Sequence, residues 1–238
     1  FPYTPSNQTK GTSGIGLYGD WIHELDRSVG RILDKIDRMG ATDDTLVIFT
    51  SDNGGVLMTE GERPEAEAYR AGLRCNGKWR GRKHSIYEGG FRVPLLARWP
   101  GYVPAGTVCN ETINLVDIFA TIAVVIDRPV PADEEVAEDS VSFLPALLGE
   151  SPPKPLRSSM ILHSPNGNFA IRQGPWKYIE GKACPTLKRI SRKDELVAHL
   201  YNLRDDPGEQ NNLLDERPDV ANRLDSLLQK QRTNGRSR

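Results

Sequence analysis

The chain has 238 residues, 37% hydrophobic and 26% charged, with 31 basic side chains against 32 acidic ones. That length supports one large domain or a domain with a small appendage, and the composition is that of a folded globular protein. The charge balance gives no global field toward nucleic acid or an acidic membrane, and no run approaches the ~18 apolar residues of a spanning helix. No nucleic-acid partner and no membrane insertion are therefore expected.

No basic stretch followed by an apolar one opens the chain, so no leader segment is visible in its first residues. The three cysteines, Cys75, Cys109 and Cys184, have no zinc-ligand spacing, which leaves one disulfide or three thiols open. Asn7 and Asn110 head Asn-x-Thr triplets.

Residues 1–14 are polar and turn-rich, which predicts a loop. From Ile15 to Met39 the apolar residues Ile22, Leu25, Val29, Ile32, Leu33 and Ile36 step by three and four. That spacing predicts an amphipathic helix of about 20 residues with one buried stripe, ended by Gly40. Thr45–Thr50 is apolar on both faces and suits a central strand of a helix-covered parallel sheet. Residues 56–82 show no period and read as a long irregular loop, which in a compact domain is usually functional. Arg92–Trp99 predicts a second strand, Asn114 a helix cap before Leu115, Ile118, Phe119 and Ile122, and Ser140–Leu148 a short helical turn.

After Pro152, Pro153 and Pro155 the texture changes. Met160–His163, Asn168–Arg172 and Trp176–Glu180 are short strand-like pieces joined by turns such as Asn166-Gly167 and Gly174-Pro175. A closing helix over about Pro218 to Lys230 carries Val220, Leu224, Leu227 and Leu228 on one face. The boundary expected from this change is 1–155 for an α/β core portion and 156–238 for a small α+β subdomain.

Two places could carry chemistry. Asp52-Asn53 directly follows a strand, where ligands of open α/β sheets bind, and both side chains offer hard oxygen donors. From spacing alone the same pair reads first as an Asx turn that ends the strand, and Ca²⁺ takes about 6–8 oxygens, so two cannot form a site alone. The run Lys78 to Gly90 places Lys78, Arg80, Arg82 and Lys83 among glycines at 77, 81, 89 and 90. It reads either as an anion site approached closely by backbone or as a solvated basic loop.

The run GDWIHELDRSVGRILDKIDRMGATDDTLVIFTSDNGG resembles the sulfatase segment in which an E-L-D-x-x-V-G helix leads to T-L-V-I-F-T-S-D-N-G. GRKHSIYEGGFRVPLLARWPG is similar to the second sulfatase signature, while FAIRQGPWKYIE and LYNLRDDPGEQNNL resemble that family's C-terminal sheet and ending. The match runs through nearly the whole chain in order. It implies an α/β fold: part of an alkaline-phosphatase-like, helix-covered, mostly parallel sheet, followed by a small antiparallel-sheet subdomain with a closing helix.

The resemblance further implies hydrolysis of sulfate esters with one divalent cation, usually Ca²⁺, held by an early Asp-Asp pair and a later Asp-Asn pair. Asp52 and Asn53 match the later pair. Lys83, five residues before Glu88, matches the catalytic lysine that contacts the sulfate ester. His84 and His163 are further candidates for substrate contact, and Glu88 and Arg92 for holding the loop. The family's formylglycine nucleophile arises from C/S-x-P-x-R, which no Cys or Ser here heads, and the Asp-Asp pair is missing too. The chain thus reads as the C-terminal portion of a sulfatase, expected to be inactive alone, with the nucleophile in a missing N-terminal part. Family habit implies a periplasmic or secreted location and a small-molecule or glycan sulfate ester as substrate. The alternatives are a phosphonate or phosphate ester hydrolase of the same superfamily and a non-catalytic binding module.

Overall fold

A computed structural model describes residues 3–128, 130, 136–165, 167–181 and 197–237. The expectations placed on Asn166 and Cys184 fall outside these residues. Among them, Cys75 and Cys109 are free thiols, and burial pushes the Cys75 thiol up. No described helix is long and apolar enough to cross a membrane.

The first helix, α1, spans Leu17–Arg38, within a residue or two of its expected ends. Gly40, at φ 66°, closes it by donating from its N–H to the Asp37 carbonyl. The polar segment before α1 is pinned to the helix's first turns. Asp20 accepts from the amides of Gly11 (2.7 Å) and Ser13 (3.0 Å), and the Ser6 and Thr9 hydroxyls hold the Glu24 carboxyl down to about 2.

The stripe of α1 departs from expectation. Its buried residues are Gly19 and Asp20, while Trp21, Ile22, Leu25 and Ile32 are exposed, Ile32 by 58%. Val29, Leu33 and Ile36 are half-buried, so the face is only partly covered among the described residues.

Strand β1 (Val47–Thr50) pairs antiparallel with β2 (Leu95–Arg98), Val47 opposite Arg98 and Thr50 opposite Leu95. The sequence alone suggested a parallel neighbour. The long excursion between the two strands imposes no direction, so apolarity on both faces could not fix the partner's sense. Pro94 delays the start of β2, since proline lacks the N–H that a ladder needs.

The excursion is not wholly irregular, because α2 (Pro64–Arg70) and the single-turn α3 (Glu88–Phe91) lie within it. Pro64 at the first helical position and Glu65 and Glu67 in the first turn are ordinary start signals that a search for apolar period misses. Ala66 and Ala68 of α2 are fully buried, and α2 packs on α1.

Helix α4 (Asp117–Val125) begins after Val116, so Asn114 precedes the cap position instead of occupying it. Asp117 explains why. Its carboxylate takes the Asn114 amide (2.7 Å), the Val141 amide (2.8 Å) and the buried Arg157 guanidinium. Helix α5 (Leu144–Leu147) is the short turn expected near Ser140.

The remaining strands form an antiparallel meander in sequence order: β3 (Met160–His163), β4 (Phe169–Gln173), β5 (Trp176–Ile179) and β6 (His199–Asn202). Strand alternation gives the sheet two buried faces. Ile171, Tyr178 and Leu200 meet Val220, Ala221, Leu224 and Leu228 of α6 (Pro218–Asn234). Met160, Leu162, Ala170, Ile179 and Tyr201 point the other way and pack on Ile86 and Tyr87, inside the signature segment. The second face of this sheet is therefore a floor under the loop that carries Lys83.

Candidate functional site

The end of β1 and the signature loop are joined backbone to backbone. The Gly54 N–H donates to the Gly90 carbonyl at 2.9 Å, and the Lys83 N–H donates to the Gly55 carbonyl at 3.1 Å. Side-chain volume is excluded at this seam, since a Cβ on Gly54 would fall 1.8 Å from the Gly89 carbonyl oxygen. Cβ atoms on Gly89 and Gly90 would likewise strike the carbonyls of Arg80, Gly81 and Ser85. Glycines read as leaving room for a bound group thus serve mainly the close approach of one backbone to another.

Buried Asn76 locks the seam. Its Oδ1 accepts the Gly55 N–H (2.7 Å), and its Nδ2 donates to the carbonyls of Gly55 (3.2 Å) and Gly81 (3.1 Å). The only sequence trace of this role is the Asn76-Gly77 turn pair in a stretch without period.

On this frame stand four of the five sequence candidates. Asp52 is exposed, and among the described residues its carboxylate takes part in no hydrogen bond or ion pair. Asn53 spends its Nδ2 on the Gly54 carbonyl (3.0 Å), and its Oδ1 is likewise without a partner. Their donors suit a hard cation such as Ca²⁺. They supply only two, for among the described residues no group of three or more His, Cys, Asp or Glu side chains gathers. The Lys83 side chain is half-buried and among the described residues its ammonium is in no ion pair, and exposed His84 follows it in the left-handed region at φ 76°. Such a conformation in a non-glycine residue costs of the order of 1–3 kcal/mol and is held by its surroundings.

The fifth candidate sits apart. His163 ends β3, an edge strand, opposite Phe169, so its ring lies on the α6 side of the sheet, tilted against the Phe169 ring with centroids 4.3 Å apart. The residue borders the open cleft that Asp52, Arg92 and Arg172 also line.

The run of cations is divided between tasks. Arg82 donates to the Leu57 carbonyl, Arg80 lies over the Tyr87 ring and donates to the Tyr201 hydroxyl, and Lys78 lies over Trp79. Lys83 has no such partner among the described residues, and its main chain is bonded to Gly55, two residues beyond Asn53.

Under the loop lies a charge network whose pairing across the chain motif reading does not give. The Lys177 ammonium, fully buried, meets Glu88 Oε1 at 3.0 Å and Glu209 Oε1 at 2.9 Å. Arg92 and Arg172 approach Glu88 Oε2, each at 3.6 Å. Burial works to raise the Glu88 carboxyl, but Lys177 and then Arg172 outweigh it and hold the group below its ordinary range. Glu209 has less cationic company, so burial wins and pushes its carboxyl up. Cross-strand register assembles the set, with Arg172 opposite Lys177 and Lys177 opposite Tyr201 on the loop-facing side.

Comparison with known proteins follows the same outline. The family description "Sulfatase" matches residues 1–127, and "N-sulphoglucosamine sulphohydrolase, C-terminal" matches residues 78–234. An N-acetylgalactosamine-6-O-sulfatase of Bacteroides thetaiotaomicron is 35% identical over 98% of this chain and 45% of its own length. Human arylsulfatase A is 36% identical over 85% of this chain and 40% of its own. A solved Bacteroides thetaiotaomicron structure, described with the metabolism of multiple glycosaminoglycans, superimposes with a TM-score of 0.85 at 34% identity. It is covered over 98% of this chain and 48% of that one. The chain thus spans less than half the length of these relatives, and the expected alkaline-phosphatase-like α/β class stands with them. The chain belongs to the sulfatase family.

Proposed function

We propose that these residues form part of an active site for hydrolysing sulfate esters, in a protein that carries the nucleophile on a further segment. The observation that carries the reading is the junction at Gly54 and Lys83, which fixes two unengaged oxygen donors and one unengaged ammonium on a single frame. Asp52 and Asn53 would hold one face of a Ca²⁺ ion, which when bound would orient and polarise the sulfate. The compact ammonium of Lys83 suits sulfuryl oxygens without demanding a fixed fork, and it would neutralise charge growing on the leaving oxygen. His84, held beside it, would reach the substrate or its leaving oxygen, and His163 would border the cleft farther out. Formylglycine would be the nucleophile, and none of this chain's Cys or Ser residues has the sequence context for making it.

The N-acetylgalactosamine-6-O-sulfatase among the relatives supports a glycan sulfate ester as the substrate, with 6-O-sulfated N-acetylgalactosamine as the first to assay. An exported location, periplasmic or secreted, fits that substrate. The test is steady-state turnover by the complete open reading frame with Lys83→Ala. A fall in kcat/KM of about 10²–10³-fold is expected; an unchanged value would remove Lys83, and with it the reading, from the chemistry.

A further inference from the structure

We infer that Glu209, far along the chain in the LRDDPGE turn, is a positioning residue for Lys83; this rests on the sulfate-ester reading above. Glu209 is completely buried and grips the signature loop at both ends. At one end Arg80 donates to the Glu209 main-chain carbonyl at 2.8 Å. At the other the Glu209 carboxylate Oε2 accepts the Glu88 N–H at 2.7 Å. The two ends are also tied to each other, the Gly89 N–H donating to the Arg80 carbonyl at 2.6 Å. Lys83 and His84 stand on the arc between these anchors.

The grip is itself fixed. Glu209 lies at φ 54°, in the left-handed region, where a non-glycine residue stays only if its neighbours determine it. Asp206 does so: its carboxylate Oδ2 accepts the amides of Gln210 (2.7 Å) and Asn211 (2.8 Å), and its carbonyl takes the Glu209 N–H (3.2 Å). Gly208 brings the turn against the loop, its Cβ position lying 3.5 Å from the Lys78 carbonyl. On the remaining side the Lys177 ammonium meets Glu209 Oε1, so the carboxylate cannot rotate away from the Glu88 amide without abandoning a buried counter-charge.

The polar partners of Glu209 thus include the two loop ends, the turn residue Asp206 and the lysine shared with Glu88. One end of the loop is held by the Glu209 carboxylate and the other by the main-chain carbonyl of the same residue. The loop's tip is held at the other side by Asn76 and Gly55, so releasing Glu209 frees the arc to tilt about that seam. A displacement of about 1 Å in a catalytic group can cost up to about 10²-fold in rate.

The test is a double-mutant cycle in the complete protein, with sulfate-ester turnover and thermal unfolding measured for Glu209→Ala, Lys83→Ala and the pair. Glu209→Ala should lower kcat/KM by about 10–100-fold. The loss should divide between kcat and KM as it does for Lys83→Ala. In the Lys83→Ala background the same change should cost less than about 3-fold, because residues acting through one another are not additive. Losses that multiply would show Glu209 to be merely structural, and parent-like rates for Glu209→Ala would also overturn the inference. If Glu209→Ala does not accumulate as folded protein, Glu209→Asp is read by the same criteria, since it keeps the charge but withdraws the carboxylate from the Glu88 amide. A Lys83→Ala protein with undiminished activity would instead sink the sulfate-ester reading itself, so the two failures are distinct.

Discussion

Gly54 is where the strand-end oxygens and the loop lysine are forced into one arrangement. Its absent side chain is replaced by the Gly89 carbonyl, a backbone atom that cannot swing aside as a flexible side chain would. Gly54→Ala should therefore lower stability by about 1–3 kcal/mol, the usual cost of overpacking. It should also cut turnover by the complete protein far more than the stability loss explains, as initial rates measured well below the unfolding transition would show. Parent-like rates in a folded Gly54→Ala protein would mean the seam does not set the geometry of Asp52, Asn53 and Lys83. At this scale the sequence names those three residues through motifs, each a short run that survives without its surroundings. It does not reveal what Asn76, Lys177 and Glu209 hold: Lys177 and Glu209 lie inside runs that resemble the family's C-terminal sheet and ending, but their partners Glu88 and the signature loop lie far off in the chain. Arg80 and Arg82 mislead for the same reason, since a cation tied to a carbonyl and one facing a cleft look alike in sequence.

The elements divide by whether their partner is present. Strands β3 to β5 and helix α6 were legible because alternation and a three-to-four step describe two faces that cover each other here. Leu224, completely buried between α6 and the sheet, tests that packing. Leu224→Ala should cost about 2–5 kcal/mol in chemical denaturation, and a loss below about 1 kcal/mol would contradict the assigned core. Helix α1 was equally legible as a helix, yet half of the stripe that identified it is exposed, because periodicity reports an apolar face without saying what covers it. Helix α2 went unread because its evidence is a proline and acidic residues at a start, not a repeated apolar step. The direction of the β1–β2 pairing was likewise not encoded in either strand's own residues.

Across the whole molecule, the exposed apolar side chains gather on α1, on α4 at Phe119 and Ile122, and on β2 at Leu96, while the meander and α6 are well covered. Of these elements β2 pairs with β1, whose end carries Asp52, and the relatives matched are more than twice as long as the part this chain covers. The central claim is that Asp52, Asn53 and Lys83 face one sulfate ester, and the direct measurement is a crystal structure of the complete protein with Ca²⁺ and an unhydrolysed glycan sulfate. The account predicts density for the ion against the Asp52 carboxylate and the Asn53 Oδ1, with Lys83 Nζ within about 3 Å of a sulfate oxygen. A sulfate ester bound elsewhere, with Lys83 still facing solvent, would contradict it.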